Sequence, residues 1–216
     1  YLPQNPNSAY SKQYLTDEYS RLRGEIEKVS GREITDDALR NSIAVFNENR
    51  MLLRRLYDIK RELPWVITAD EAYTLIRLAG FMPREEHNEL LSYVLSLLPS
   101  RPSRKQDRIR VVFEGGFCEQ PPLDLLRTIG QSCYVVDDDL LIGLRWITED
   151  VESGEDPVAA LASAYIDQSS YSPVQHDLNK PKERMLLERV REAEADARPA
   201  VAGGVERAED PRPRLR

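Results

Sequence analysis

Two apolar segments, residues 109–116 (IRVVFEGG) and 133–140 (CYVVDDDL), decide the fold predicted for this chain. The first is a near-continuous apolar run that ends in two glycines, which is typical of a strand buried on both faces of a parallel sheet. The second predicts another apolar strand. Between them, the sequence PLDLLRTIG predicts a short helix, with Pro122 near its start and Gly130 just past its end. The order strand, helix, strand favours a doubly wound, Rossmann-like α/β domain.

The α/β pattern breaks off after two more helices, which we predict for residues 154–167 and 180–195. Two strands alone do not form a stable parallel sheet with helices on both faces. Residues 198–216 contain three prolines, two glycines and no strand-like run. We therefore predict that residues 108–197 are the start of an incomplete second domain. A low-complexity segment is one interpretation of the tail; a frame-shifted end is the other, and we prefer it.

Residues 1–98 carry helical patterns and no strand candidate, so we assign them to a helical segment that belongs to a first domain. The first helix is predicted from apolar side chains spaced by three or four positions: Leu15, Tyr19, Leu22, Ile26 and Val29. Residues 99–107 (PSRPSRKQD) are polar and contain proline, which indicates a linker between this segment and the α/β domain.

Local signals place the ends of the predicted helices. Gly31 suits the C-terminal cap of the first helix, and Thr35 suits the N-cap of the second. Pro64 ends that second helix. Residues 68–71 (TADE) fit a capping box for the third helix, and Pro83 suits the first helical position of the fourth.

Composition excludes some classes of function. The formal net charge is -7 and the sequence pI about 5.1, which argues against a nucleic-acid partner because phosphates are bound by basic faces. No apolar run approaches the roughly 18–20 residues that a membrane helix needs, and no signal peptide is evident. With two cysteines there is no disulfide framework, so we expect a cytoplasmic protein. Because the chain begins at Tyr1 and not at Met, we also expect it to be a piece of a longer protein.

The loop GGFCEQPP, residues 115–122, follows the first predicted strand. Ligands of open α/β sheets bind beyond the carboxyl ends of the strands, and a rigid loop there is a good place for a functional side chain. A cysteine packed under a turn is the alternative for Cys118. Our candidates for lining a pocket at the strand ends are Gly115, Gly116, Cys118, Glu119, Gln120, Asp137 and Asp138.

Asp137, Asp138 and Asp139 end the second predicted strand. Clustered carboxylates could bind Mg²⁺ or a polar group of a substrate. We favour a simpler interpretation, in which they cap the following helix and otherwise carry solvated charge. Cys133, which opens that strand, is interpreted as a small core residue; with no CxxC pair in the chain, the metal signal is weak.

The two histidines do not indicate one specific function. His87 lies in the charged sequence PREEHNELL, and we interpret it as part of a solvated helix face. His176, next to Asp177 in a loop, is either an acid/base group, an anion ligand together with Lys180 and Lys182, or a surface residue. No GxGxxG, P-loop, GxSxG or HExxH motif occurs.

The sequence resembles the 2-hydroxyacyl-CoA dehydratase / benzoyl-CoA reductase superfamily. The most specific match is FEGGFCEQPPLDLLRTI, residues 113–129; residues 30–65 and PREEHNELL, residues 83–91, are similar to helical segments of that superfamily. The resemblance covers about residues 1–197. FCEQPP favours the benzoyl-CoA reductases over the dehydratases.

The resemblance implies a subunit with two α/β domains and a [4Fe-4S] cluster held by cysteines from both. It implies several partners: a related acyl-CoA-binding subunit, an ATPase pair that couples ATP hydrolysis to electron delivery, and reduced ferredoxin. The implied substrate is benzoyl-CoA, reduced to a cyclohexadiene-carbonyl-CoA in anaerobic breakdown of aromatic compounds. The cluster would carry out the low-potential electron transfer to the ring, while the protein binds and positions the ring.

No residue here matches a family cluster ligand or a catalytic residue securely, so we expect those ligands outside this chain and expect the chain alone to be inactive. GGFCEQPP is then the loop that borders the acyl-CoA or cluster pocket. A dehydratase subunit, which is a lyase, is the first alternative function. A non-catalytic helical interaction module is the second, and the βα segment argues against it.

Overall fold

The computed structural model describes residues 2–114, 121–140, 147–152, 154–168 and 182–196. Its elements, in chain order, are α1 (Ser11–Ser30), α2 (Asp36–Glu62), α3 (Ala69–Leu78), α4 (Arg84–Leu97), a 3-10 turn (Leu98–Ser100), β1 (Ile109–Glu114), α5 (Leu123–Gly130), β2 (Cys133–Asp139), α6 (Pro157–Asp167) and α7 (Lys182–Glu192). This is the predicted mixed α/β architecture: mostly helical, with an incomplete Rossmann-like sheet.

Several helices begin or end where the local sequence signals predict. Gly31 adopts a left-handed conformation with φ of 65° and donates its N–H to Glu27 O, ending α1. The Thr35 hydroxyl accepts from the Ala38 N–H at the start of α2. Thr68 begins α3 with a complete capping box. These ends were predictable because each depends on three or four neighbouring residues only.

Two helix ends differ from the prediction. Pro83 is the N-cap of α4 and not its first helical residue, since its backbone is still extended. Gly130 is the last residue of α5 and not a cap beyond it, because the cap conformation belongs to Gln131. Neither shift moves the strands that follow.

β1 and β2 pair in parallel, as predicted, with an irregularity after Val111. Val111 lies opposite Val135, whereas Val112 lies opposite Asp137. β2 is buried along most of its length, but in β1 only Val112 is buried. The prediction that the first strand is covered on both faces is therefore wrong for β1. On β1, the Asp196 N–H donates to Arg110 O at 2.9 Å and the Asp196 carboxylate accepts from the Arg110 N–H.

The long helix α2 connects the helical segment to the sheet. Leu56 and Ile59 pack with Val66, Ile67 and other residues of the loop and helices that follow. On the sheet, Trp65 and residues of α7 pack against a small core of Val112, Tyr134, Val136 and Ala193. The boundary predicted at residues 99–107 stays a prediction, but the segments on its two sides are in direct contact.

The apolar stripe of α1 is buried only at its beginning. Leu15 is fully buried against Ala162 and Ile166 of α6, whereas Leu22 is 51% and Val29 90% exposed. The spacing thus predicts the helix correctly but not how much of its apolar face is covered. Among the described residues, no helix is long and apolar enough to cross a membrane.

Candidate functional site

A cluster of buried and half-buried charged side chains lies at the carboxyl ends of the two strands. β1 contributes Glu114 and β2 contributes Asp137, Asp138 and Asp139, and Glu114 lies opposite Asp139 in the register of the sheet. Asp137 is fully buried and Asp138 is 7% exposed. The cations that face this carboxylate cluster come from α2 and α7: Lys60, Arg61 and Arg189.

Two side chains on one face of α2 contact the Asp138 carboxylate. The Tyr57 hydroxyl donates to Asp138 Oδ1 at 2.9 Å, and the Lys60 ammonium forms an ion pair with Asp138 Oδ2. Tyr57 and Lys60 are three positions apart on α2, so both side chains project to the same side of the helix. Lys60 also lies 4.4 Å from the centroid of the Tyr57 ring. The three groups form one compact unit inside the protein.

The charges in this unit shift the pKa values of its members in opposite directions. Burial is the largest single influence and would raise the pKa of Asp138. The Lys60 charge, the hydrogen bonds from Lys60 and Tyr57 and the Arg189 charge together hold that pKa below its usual value. Burial, together with the Asp138 charge, raises the pKa of Tyr57 well above its usual value. Tyr57 therefore stays a neutral hydrogen-bond donor and Asp138 stays a charged acceptor.

Asp137 and Glu114 are bridged by one arginine of α7. Arg189 Nε lies 3.1 Å from Asp137 Oδ2, and Arg189 Nη1 lies 3.2 Å from Glu114 Oε2. Arg61 of α2 also contacts Asp137 Oδ2, at 3.3 Å. Burial raises the pKa of Glu114, and although Arg189 opposes this effect, Asp139 and Asp137 add to it. Burial is the largest single influence and would lower the pKa of Arg189, but the charges of Asp137, Glu114 and Asp139, with the hydrogen bond to Asp137, together raise it.

The arrangement joins α2, both strands and α7 at the edge where ligands of parallel sheets bind. Glu114, Asp137 and Asp138 are engaged by cations, so the first physical role of the cluster is to fix the strand ends in position. Residue 115, the first of the predicted loop, follows Glu114 directly. A rigid base of this kind suits a loop that must hold functional groups in place.

The favoured interpretation of the aspartates as helix caps and solvated charge is wrong for Asp137 and Asp138. Both lie within β2, are buried and are engaged by side chains of α2 or α7. For the Mg²⁺ alternative, the described residues contain no group of three or more His, Cys, Asp or Glu side chains placed to hold a metal ion. Lys60, Arg61 and Arg189 were missed, because they look like exposed cations on polar helix faces.

The predicted loop residues Gly115, Gly116, Cys118, Glu119 and Gln120 lie outside the described residues, as does His176. Their place in a pocket stays a prediction. Cys133 is partly buried at the amino end of β2, away from the charged cluster at the opposite end of that strand.

His87 is fully buried, so its interpretation as part of a solvated face is wrong. The Asn49 amide donates to His87 Nδ1 at 2.7 Å, and His87 Nε2 lies 2.8 Å from Leu75 O. An acceptor at Nδ1 and a donor at Nε2 define the neutral ring. Burial lowers the pKa of His87, and the nearby Arg84 charge lowers it further. His87 thus ties α2, α3 and α4 together.

Comparison with known proteins gives one family. The profile described as "2-hydroxyglutaryl-CoA dehydratase, D-component" matches residues 1–198. The chain is 40% identical over 192 residues to the C subunit of benzoyl-CoA reductase from Thauera aromatica, an alignment that covers 88% of this chain and 50% of that protein.

Two dehydratase subunits are also similar. Lactoyl-CoA dehydratase subunit beta of Anaerotignum propionicum is 32% identical over 198 residues, covering 90% of this chain and 52% of that protein. (R)-2-hydroxyglutaryl-CoA dehydratase subunit beta of Acidaminococcus fermentans is 29% identical over 168 residues, covering 78% and 44%. The chain spans about half the length of the curated relatives it matches.

Proposed function

The chain belongs to the 2-hydroxyglutaryl-CoA dehydratase D-component family, and from that premise we propose that it is part of a benzoyl-CoA reductase, in the position of the C (gamma) subunit. The observation that carries the choice is the 40% identity to a benzoyl-CoA reductase subunit, against 32% and 29% to two dehydratase subunits. The FCEQPP motif, which resembles the reductases, supports the same choice.

The proposed reaction is the ATP-dependent reduction of the aromatic ring of benzoyl-CoA. Two electrons and two protons convert the ring to a cyclohexadiene while the thioester stays intact. The electrons come from reduced ferredoxin through an ATPase pair, and a related subunit shares the binding of the acyl-CoA. The complex is proposed to be cytoplasmic.

In this proposal the chain contributes binding and positioning. The ion pairs among α2, β1, β2 and α7 hold the carboxyl ends of the strands, and the 115–120 segment leaves from there. Gly115, Gly116, Cys118, Glu119 and Gln120 are proposed to border the acyl-CoA or the cluster. Asp137 and Asp138 are proposed to act indirectly, by supporting that border through Arg189 and Lys60.

A [4Fe-4S] cluster does not fit the residues at hand. Such clusters are usually held by four cysteine thiolates, and the 216 residues contain two cysteines. Cys133, the one cysteine in the described part of the chain, opens β2 at the end opposite the charged cluster. We therefore place the cluster ligands outside these residues and assign no step of the reaction to Cys133.

A 2-hydroxyacyl-CoA dehydratase is the second candidate, because the matching family and two of the relatives named above carry dehydratase names. The full-length subunit, assembled with its partners, distinguishes the two. A reductase oxidises the reduced electron donor when benzoyl-CoA and ATP are both present, and stops when either is omitted. Turnover of a 2-hydroxyacyl-CoA, without net oxidation of the donor and without activity on benzoyl-CoA, would assign the chain to the dehydratases.

The role of Cys118 can be tested in the same assembled complex. If its thiol borders the pocket without binding iron, Cys118→Ala leaves the iron content unchanged while it alters the KM for the acyl-CoA. Loss of iron in this variant would make Cys118 a cluster ligand.

A further inference from the structure

The segment that leads into β1 concentrates positive charge. Residues 101–110 (RPSRKQDRIR) hold five cations and one carboxylate, in a chain whose net charge is -7. The segment runs past the amino ends of the strands, since the Tyr134 hydroxyl of β2 accepts from the Gln106 N–H at 2.8 Å. It therefore lies at the end of the sheet opposite to the buried carboxylate cluster.

Two adjoining clefts open beside this segment and share the side chains of Trp65, Arg108 and Tyr134 among their walls. Their volumes are about 240 and 460 Å³. Arg104 lines the smaller cleft and Lys105 the larger one. Ligand sites commonly measure about 300–1,000 Å³, so the larger cleft alone is of that size.

Two of the cations that line these clefts, Lys105 and Arg108, lie against aromatic rings. Lys105 Nζ is 5.4 Å from the centroid of the Trp65 ring, and Arg108 Cζ is 5.4 Å from that of Tyr134. A cation–π contact orients such a side chain but leaves its positive charge in place. The rings thus form the wall of the cleft and hold the cations at its rim.

These charges are not neutralised by described carboxylates. Within the described part of the chain, Arg104, Lys105 and Arg108 form no ion pair. Arg108 Nη1 donates to Gly130 O, at the end of α5, while Arg108 Nε is buried and has no hydrogen-bond partner among the described atoms. Asp107 is the one acidic side chain among the residues that line either cleft.

We propose that this pair of adjoining clefts binds a phosphate-bearing ligand of nucleotide size. Guanidinium and ammonium groups are the usual protein partners of phosphate oxygens, and the Trp65 and Tyr134 rings hold two of these cations beside the clefts. The phosphates could belong to a CoA thioester or to a free adenine nucleotide. The site is separate from the strand-end cluster and does not depend on which reaction the complex catalyses.

Calorimetric titration of the full-length subunit with CoA, ADP and inorganic phosphate tests the proposal. The test variant combines Arg104→Gln with Lys105→Gln, both exposed and outside helices and strands. The control combines Lys28→Gln with Arg32→Gln, which removes the same charge at the exposed end of α1. Arg108 is left unchanged because it also binds the end of α5.

We expect ADP, CoA or both to bind, and the test variant to bind roughly tenfold more weakly, as the loss of charge-assisted hydrogen bonds implies. The control should bind as the unchanged protein does. Binding of CoA without ADP identifies the coenzyme A moiety as the source of the phosphates; binding of both shows that the nucleotide part suffices. Added salt should weaken either interaction.

Three results would overturn the proposal: no binding of ADP or CoA, equal binding by the test and control variants, or inorganic phosphate binding as tightly as ADP. If phosphates do not bind and the test variant instead dissociates a partner subunit, the surface is a protein interface. None of these results depends on turnover, so the reductase proposal can fail while this one holds.

Discussion

At the scale of single residues, Asp138 and Lys60 show how closely burial and charge are balanced. Each has less than a tenth of its surface exposed, and the two form an ion pair inside the protein. Removing one partner of a buried pair leaves an uncompensated charge. The same change at an exposed pair matters little, because water screens it.

We therefore expect Asp138→Asn to lower the free energy of unfolding by about 3–5 kcal/mol. Asp150→Asn is the matched control, because Asp150 pairs with Arg54 and is 48% exposed; its cost should stay below about 1 kcal/mol. Urea denaturation of both variants of the full-length protein measures the difference. Equal losses would mean that the Lys60–Asp138 pair is not the buried unit described above.

The burial of His87 leads to a prediction of how the free energy of unfolding depends on pH. Because burial lowers its pKa, the unfolded chain binds a proton at a higher pH than the folded one. Stability is then complete above the unfolded pKa of about 6.5 and is lost as the pH falls below it toward the lowered folded pKa.

His87→Gln, which cannot titrate there, should show a flatter dependence of the unfolding free energy on pH below about 6.5 than the unchanged protein. Denaturant midpoints measured across that range make the comparison. An identical slope in both proteins would show that His87 is not buried as a neutral ring.

At the scale of elements, local sequence signals were sufficient for most of the architecture. Gly31, Thr35 and the Thr68–Glu71 capping box act within one turn, so their effect is visible in the sequence. What the helices are packed against is not local. Leu15 and Val29 belong to one stripe of α1, yet only Leu15 meets α6.

The capping box of α3 gives a direct test at this scale. Thr68→Ala removes the side-chain acceptor for the Glu71 N–H and should cost about 1 kcal/mol of stability. Thr74→Ala changes the same residue type within the same helix, where the hydroxyl donates to Asp70 O; we expect a smaller loss. Thermal unfolding of both variants measures the two effects, and a larger loss at Thr74 would contradict the assignment of the cap.

The candidate site was only partly predictable, and the reason is again distance along the chain. Position at a strand end pointed to Asp137 and Asp138, but Lys60 lies 78 residues before its partner Asp138. Arg189 lies 52 residues after Asp137. Nothing local to Lys60 or Arg189 distinguishes them from exposed cations, so their burial follows only from how α2 and α7 pack on the sheet.

At the scale of the whole molecule, the described residues present two different ends of one small sheet. The carboxyl ends hold Glu114, Asp137 and Asp138 paired with cations, in the region that we propose for the border of the acyl-CoA or cluster pocket. The amino ends carry unmatched cations beside aromatic rings. The two proposals therefore concern opposite ends of the sheet: a phosphate-bearing ligand at the amino ends, and the border of the acyl-CoA or cluster pocket at the carboxyl ends.

The product formed by the assembled complex tests the central claim most directly. With benzoyl-CoA, ATP and a reduced electron donor, mass spectrometry of the thioester should show the gain of two hydrogens, and none without ATP. If benzoyl-CoA is unchanged while a 2-hydroxyacyl-CoA loses one water, the chain belongs to a dehydratase and the proposed reductase function is wrong.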